Sequence, residues 1–200
     1  MPLGDSITAG GGSSTGGGYR LPLWERLSEH PEQPIDFVGS ARAGSFADPD
    51  HEGHSGYVID GLRAHIDDWV AAAQPDIVLL HAGINDVDFG RRQGAPERLI
   101  ELADRIAADR PNSVVYVLGL IPTTDGLEDQ AVTFNASVRS ASAAHGYLWV
   151  EPPALSADEL PDGLHPNDKG YVRMAEALYR ALQGQVEASP LPGDGCLPSP

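Results

Sequence analysis

A serine, a histidine and an aspartate in this sequence have the types and spacing that acyl transfer requires. Ser6 follows a short apolar lead-in, and Asp162 precedes His165 by three residues in a glycine-containing turn. A serine hydroxyl is a weak nucleophile until a base removes its proton, and an imidazole held by a carboxylate is a suitable base. We therefore predict Ser6 as nucleophile, His165 as base and Asp162 as its partner, although Gly-Asp-Ser alone also spells an ordinary turn.

Two other segments could supply hydrogen-bond donors to a tetrahedral oxyanion. The sequence GHSG occupies residues 53–56, and GIND occupies residues 83–86. Acyl transfer needs N–H groups held ready where negative charge develops on the carbonyl oxygen. We predict that the backbone N–H groups of Ser6 and Gly56 and the side-chain amide of Asn85 have this role. Each also has a structural interpretation, since glycine permits a positive φ and Asn-Asp can cap a helix.

The elements that would position these residues alternate between short apolar strands and amphipathic helices. The predicted strands end at Leu3 or span 35–38, 76–82, 114–120 and 147–150. The predicted helices span 19–28, 97–109, 132–144 and 168–182, the last with Val172 facing inward, and another runs through Leu62, Ile66, Trp69 and Val70. Loops are predicted for residues 10–18 and for the segment after Gly39 that carries His51, Glu52 and His54. Such alternation predicts a parallel sheet with helices on both faces. Sites in these sheets form at the carboxyl ends of the strands, which would gather Ser6, Asn85 and His165 at one edge.

Composition excludes several classes of function. The chain has 200 residues, enough for one domain, and carries 13 basic and 29 acidic side chains for a formal charge of −16. This charge disfavours nucleic acid and anionic membrane surfaces, and no segment approaches the length of a membrane span. The single cysteine, Cys196, excludes an intramolecular disulfide and a cysteine-built zinc site, and we predict that it is not catalytic. We expect a neutral substrate and no nucleic-acid or membrane partner.

Other patterns favour structural interpretations. Residues 12–16 match the nucleophile elbow G-x-S-x-G, but glycines precede them instead of a strand, so we predict a flexible loop. His51, Glu52 and His54 lack the helical spacing of zinc peptidases, and no further ligands lie nearby, so we expect no metal or other cofactor. His81 ends an apolar strand and is predicted to be a core histidine. The tryptophans with apolar neighbours are also assigned to the core: Trp24, Trp69 and Trp149.

The segments described above, with residues 162–166 (DGLHP), resemble in order and spacing the sequence blocks of the SGNH (GDSL-type) hydrolases. The resemblance covers residues 3–171. It implies a flavodoxin-like, three-layer α/β/α domain with a mainly parallel, five-stranded sheet in residues 1–186, followed by a Pro/Gly-rich tail in 187–200. The family's catalytic and oxyanion residues correspond to these positions: Ser6, Gly56, Asn85, Asp162 and His165.

A narrower resemblance, to carbohydrate esterase family 3, rests on several short segments. These are PLGDSIT (2–8), GYR (18–20), FVGS (37–40), HEGHSG (51–56) and DGLHPN (162–167). It implies a Ser-His-Asp esterase that removes acetyl groups from xylan or similar sugars, with a small acyl pocket for which Asp5, His54 and Ile84 are candidates. It also implies an extracellular protein, although this chain begins without a signal peptide.

Two other functions stay open from the sequence. One is a lipid-directed esterase, lysophospholipase or thioesterase on the same fold. The other is an inactive carbohydrate-binding module that keeps an esterase-like scaffold, which the presence of every expected catalytic residue type argues against. We expect a monomer that acts on a small-molecule or polysaccharide ester. Met1 lies five residues before Ser6, so we expect a first strand from which most residues are missing.

Overall fold

The structure, a computed structural model, describes residues 1–30, 34–123 and 126–188. Within these residues a six-stranded sheet has the order β2-β3-β1-β4-β5-β6. All neighbouring strands run parallel except β2 and β3, which pair antiparallel. The strands are β1 Pro2–Gly4, β2 Ala41–Arg42, β3 Asp50–Gly53, β4 Ile77–His81, β5 Val114–Leu118 and β6 Leu148–Val150.

Helices cover the sheet, which confirms the predicted α/β class. One group consists of α2 packed on α8, and the other has α6 in contact with α3, α4 and α7. The helices are α1 Ser6–Ala9, α2 Arg20–Leu27, α3 Ile59–Arg63, α4 Ile66–Ala73, α5 Ile84–Asp88, α6 Ala95–Asp109, α7 Glu128–His145 and α8 Asp168–Ala188. None of the helices described here is long and apolar enough to cross a lipid bilayer.

The central strands form the middle of the hydrophobic core. Leu3, Val78, Leu80 and Val117 have no exposed surface. Strands buried on both faces read as nearly continuous apolar runs, which is why β4 and β5 could be located from sequence. Burial of each such side chain stabilises the fold by about 1.5–3 kcal/mol.

The predicted count of five strands was wrong, because one predicted strand is absent and two short strands were missed. Residues 35–38 are not a strand: the Phe37 N–H donates to the Asp48 carboxylate at 2.6 Å. The neighbouring Ser40 N–H donates to Glu52 at 2.7 Å. Side-chain acceptors thus satisfy N–H groups that a strand would pair with a ladder. The polar segment Asp50–Gly53, predicted as loop, instead pairs with β1 as β3.

The helices differ from prediction in several places. The helix expected through Leu62 and Val70 is divided into α3 and α4, the short helices α1 and α5 were not predicted, and α7 begins before its predicted start at residue 132. The last helix continues to Ala188, and Val172, predicted to face inward, is 55% exposed. Part of the predicted tail therefore lies within α8. Residues 189–200 of that tail, including Cys196, lie outside the described residues.

Candidate active site

A continuous chain of hydrogen bonds joins the three residues predicted to carry the chemistry. Ser6 begins α1, separated from β1 only by Asp5, and its Oγ lies 2.9 Å from Nε2 of His165. The Nδ1 atom of His165 lies 2.8 Å from Oδ2 of Asp162. We assign the ring proton to Nδ1, where the carboxylate can accept it, so that Nε2 accepts the hydroxyl hydrogen of Ser6. This arrangement can withdraw a proton from a serine hydroxyl.

The Asp162 carboxylate is held by its own loop. Its Oδ1 accepts the N–H groups of Leu164 at 3.0 Å and His165 at 2.7 Å. Partial burial alone would raise the pKa of Asp162, but the hydrogen bonds from the backbone and ring of His165 and from Leu164 lower it below its ordinary value. Asp162 is therefore ionised at neutral pH and suited to stabilising an imidazolium.

A glycine-rich loop packs directly against the His165 imidazole. A Cβ atom at Gly11 would lie 2.9 Å from Cδ2 of His165, which requires glycine at this close approach. The loop, residues 10–18, was predicted to be flexible, yet hydrogen bonds to side chains of α8 hold it in place. Asp168 accepts hydrogen bonds from the Ser13 hydroxyl at 2.9 Å and the Ser14 N–H at 3.0 Å, and the Tyr171 hydroxyl donates to the Gly11 carbonyl at 2.5 Å. The loop thus forms a fixed wall beside the imidazole.

Arg20 is a buried structural centre that sequence reasoning missed. Its guanidinium has no exposed surface and donates five hydrogen bonds to backbone carbonyls. The acceptors are the carbonyls of Thr8, Ala9, Gly16, Ala43 and Pro49. Arg20 therefore fixes the end of α1 and the glycine-rich loop at once. Its place in the segment GYR gave the available sequence signal, but not this function.

The predicted acyl-pocket residues differ in their exposure. Asp5 and Ile84 are buried, whereas the His54 side chain is 21% exposed. Asp5 caps α1, because its Oδ1 accepts the Ile7 N–H at 3.0 Å. Burial raises the pKa of Asp5 to about 7, against the effects of the Ile7 hydrogen bond and of nearby His165. A neutral carboxylic acid therefore lies beneath the nucleophile over much of the acidic range.

The three predicted oxyanion donors follow three adjacent strands of the sheet. Gly56 comes after β3, Ser6 after β1 and Asn85 after β4, and the three strands are neighbours. Gly56 has φ of +79°, in a turn closed by a hydrogen bond from the Tyr57 N–H to the His54 carbonyl at 3.1 Å. As the first residue of a helix, Ser6 has an N–H without a partner inside that helix. The topology thus brings these positions to one sheet edge.

Asn85 and Asp86 connect α5 to the loop that contains Gly56. The Asn85 amide donates to the Tyr57 carbonyl at 2.8 Å, and the Asp86 carboxylate accepts the Ile59 N–H at 2.8 Å. The same carboxylate, which is fully buried, pairs with Arg98 at 2.8 Å. These bonds fix the Gly56 loop against the end of β4.

The remaining histidines near the sheet have structural surroundings. His81 is 1% exposed, and burial lowers its pKa to about 4, so it is a neutral core residue as predicted. The His51 Nδ1 accepts the Gly53 N–H at 2.9 Å, while His54 pairs with Glu52. In the part of the chain that the structure describes, no group of three or more histidine, cysteine, aspartate or glutamate side chains is placed to hold a metal ion. The tryptophans pack against the core as predicted: Trp24, Trp69 and Trp149.

Comparison with known proteins gives consistent matches. The sequence profile of the GDSL-like lipase/acylhydrolase family matches residues 3–173. A family 3 carbohydrate esterase of Clostridium thermocellum is 31% identical, with a TM-score of 0.84 over 94% of this chain and 96% of that one. An acetyl esterase mutant, solved with an acetate ion, is 27% identical, with a TM-score of 0.80 over 94% of this chain and 97% of that one.

A curated relative is much longer than this chain. It is a multidomain esterase of Ruminococcus flavefaciens, 28% identical over 94% of this chain and 29% of its own length. The chain thus spans less than two thirds of the length of the first curated relatives it matches. The family profile and the solved structures cover nearly all of the sheet and the strand-end loops. The chain therefore belongs to the GDSL-like lipase/acylhydrolase family and resembles the family 3 carbohydrate esterases.

Proposed function

We propose that this chain is a carboxylic ester hydrolase that removes acetyl groups from an acetylated carbohydrate through a Ser6–His165–Asp162 triad. The observation that carries the proposal is the hydrogen-bonded chain from the Ser6 hydroxyl through the imidazole to the Asp162 carboxylate. The similarity to a family 3 carbohydrate esterase and to an acetyl esterase supports the choice of acyl group and substrate class. A neutral sugar ester also suits a chain of charge −16, which would repel a polyanion.

The first half of the reaction forms an acetyl-enzyme. The Ser6 Oγ attacks the acetyl carbonyl carbon while Nε2 of His165 accepts the hydroxyl proton. The resulting imidazolium is stabilised by Asp162, which keeps the other ring proton on Nδ1. His165 then donates the acquired proton to the sugar oxygen as the bond from carbonyl carbon to that oxygen breaks. The deacetylated sugar leaves, and the acetyl group stays on Ser6.

The second half returns the enzyme to its starting state. Nε2 of His165 takes a proton from a water molecule, whose oxygen attacks the acetyl carbon. The second tetrahedral intermediate breaks its bond to Oγ, which recovers a proton from His165, and acetic acid leaves and ionises to acetate in solution. In both halves the oxyanion accepts hydrogen bonds from the N–H groups of Ser6 and Gly56 and from the Asn85 amide. Loss of one such donor costs about 3–4 kcal/mol of transition-state stabilisation in other serine hydrolases.

The direct test is hydrolysis of p-nitrophenyl acetate by matched serine variants. Ser6→Ala should lower kcat by about 10⁴-fold or more, because the nucleophile is lost. Ser14→Ala, which removes the serine of the G-x-S-x-G match at 12–16, should retain kcat within about tenfold. A Ser6→Ala protein that keeps the full rate, or a Ser14→Ala protein that loses it, would reject the assignment.

Substrate class needs separate measurements. Rates on p-nitrophenyl esters from acetate to octanoate should fall steeply beyond butyrate if the acyl pocket is small. Rates that rise with chain length would favour a lipid-directed esterase or thioesterase. Acetate release from acetylated xylan and other acetylated sugars would then identify the leaving group. A protein that hydrolyses no ester and whose Ser6 is not labelled by a phosphonate would favour a binding module. We further propose an extracellular location, which secretion of the full-length protein from its host would test.

A further inference from the structure

The turn that contains Gly56 is held at its first residue by an aromatic stack. The His54 ring lies nearly parallel to that of Trp69, with centroids 4.4 Å apart and an interplanar angle of 7°. It also stacks on Tyr57, the last residue of the turn, at 5.0 Å and 28°. The His54 N–H donates to the Gly4 carbonyl at 2.9 Å, which joins the turn to the strand leading into Ser6. The turn therefore has little freedom to rotate.

A buried carboxylate fixes the orientation of this imidazole. Glu52 is 1% exposed, and its Oε1 lies 2.6 Å from Nε2 of His54. The Ser40 hydroxyl donates to the same oxygen and the Ser40 N–H to Oε2, both at 2.7 Å. Three donors thus surround one carboxyl group, as burial of such a group requires. The His54 ring can neither rotate about the bond to its Cβ nor leave the stack without losing the bond to Glu52.

The turn connects two of the proposed oxyanion donors. Gly56 precedes Tyr57, and the Tyr57 carbonyl accepts the Asn85 amide at 2.8 Å. That bond uses one of the two hydrogens on the Asn85 nitrogen and leaves the other for a ligand. At the third residue of the turn, the positive φ of Gly56 is that of a type II turn, so the direction of its N–H depends on how both ends are held.

We propose that His54, oriented by Glu52, is a positioning residue that aims the Gly56 and Asn85 donors at the oxyanion; this rests on the proposed function of those donors. His54 acts on the transition state through the turn and does not touch the reacting atoms. Misdirected donors weaken binding of the tetrahedral oxyanion more than binding of the planar ester. A loss of this kind lowers kcat, whereas the loss of a direct sugar contact by the partly exposed His54 would raise KM.

The test compares two variants with a matched control. His54→Phe keeps a ring for the stack and removes the bond to Glu52, and Glu52→Gln changes the carboxyl group alone. The control, His145→Phe, makes the same replacement at an exposed histidine that pairs with Asp104 at 2.9 Å. With p-nitrophenyl acetate and with an acetylated xylose as substrates, both test variants should lower kcat about 10–100-fold with KM within about twofold, while the control stays within twofold in both.

A second readout reports on the oxyanion directly. Methylboronic acid forms a tetrahedral anionic adduct with a serine hydroxyl, so its inhibition constant should rise by about the same factor as kcat falls. Inhibition by acetate should change less than threefold. Rates are expressed per active serine, counted by phosphonate labelling, so that partial misfolding does not imitate the effect. If His54→Phe fails to fold, Glu52→Gln decides the matter with the same two readouts.

Each result has a defined meaning. Unchanged kcat and unchanged boronate inhibition in the test variants would overturn the proposal, and so would a rise in KM alone. Failure of the proposed function is a different result, in which Ser6→Ala retains its rate and the boronate does not inhibit the wild-type protein.

Discussion

Replacement of Asp162 by asparagine separates the shape of this side chain from its charge. In the wild type, Oδ1 accepts two backbone N–H groups, from Leu164 and His165, and Oδ2 faces Nδ1 of the ring. All three neighbours are donors, which suits a carboxylate. An asparagine has one acceptor and one donor atom at the same positions, so it cannot serve both the backbone and the ring.

The asparagine orientation follows from counting the bonds. Its oxygen should stay on the two N–H groups, because turning the amide would exchange two hydrogen bonds for one. The NH₂ group then faces Nδ1 and favours the ring tautomer with its proton on Nε2, which cannot accept from Ser6. Loss of the charged bond to the imidazolium costs about 1.5–3 kcal/mol, and the wrong tautomer adds about 1 kcal/mol. Because the Asp162 side chain is 57% exposed, we take the lower end of this range.

We therefore expect Asp162→Asn to lower kcat/KM for p-nitrophenyl acetate by about 100-fold, since each 1.36 kcal/mol is a factor of ten. Asp162→Ala, which places no donor against Nδ1, should lose only about tenfold. The control is Asp104→Asn. Asp104 pairs with His145, which lies just before β6, at the end of the sheet opposite to the candidate site. Asp162→Asn within twofold of wild type, or Asp162→Ala slower than Asp162→Asn, would refute the reasoning.

Three further expectations concern the surroundings of the triad. Gly11→Ala should lower kcat about tenfold or more, because its Cβ would lie 2.9 Å from the imidazole of His165. The control, Gly184→Ala, adds a methyl group in open space on α8 and should have no effect. Equal rates for the two variants would contradict this expectation. Arg20→Lys should lower the free energy of unfolding in urea by about 2–4 kcal/mol, since lysine cannot reach five carbonyls; a loss below 1 kcal/mol would contradict it. Asp5→Asn should gain stability relative to wild type as pH rises from 5 to 7, by at most about 1.4 kcal/mol per pH unit.

The sign of the Asp5 effect follows from proton binding. With its pKa raised to about 7, folded Asp5 keeps a proton that the unfolded chain, with an ordinary value of 3.8, has lost. Stability from this group therefore falls as pH rises between those values. His51 and His81 act in the opposite sense, because burial lowers their pKa values to about 3 and about 4. Both histidines are present in wild type and variant, so their effects cancel in the difference. A pH-independent difference would contradict the account.

Sequence patterning predicted the apolar parts of the fold and missed the polar ones. The strands β4 and β5 are nearly unbroken apolar runs, and each lies within a residue or two of its predicted span. The strand β3 was missed because its buried residues include the polar His51 and Glu52. The Glu52 carboxylate is satisfied by Ser40, which only the folded chain brings beside it. An apolar segment, 35–38, was taken for the strand instead.

The candidate site shows the same division. Residue types and order were enough to select Ser6, Asp162 and His165, which the structure brings within hydrogen-bonding distance. The sequence could not reveal that the glycine-rich loop is fixed, because its anchors on α8, Asp168 and Tyr171, lie far from it along the chain. Such long-range polar contacts have no periodic signal in the chain.

The measurement that tests the central claim most directly is localisation of a covalent phosphonate label. The protein is treated with a p-nitrophenyl alkylphosphonate and digested with trypsin, which yields a peptide of residues 1–20 that contains Ser6, Ser13 and Ser14. Fragment-ion spectra should place one label per chain on Ser6, and His165→Ala should suppress labelling. A label on Ser13 or Ser14, or labelling that does not depend on His165, would contradict the account.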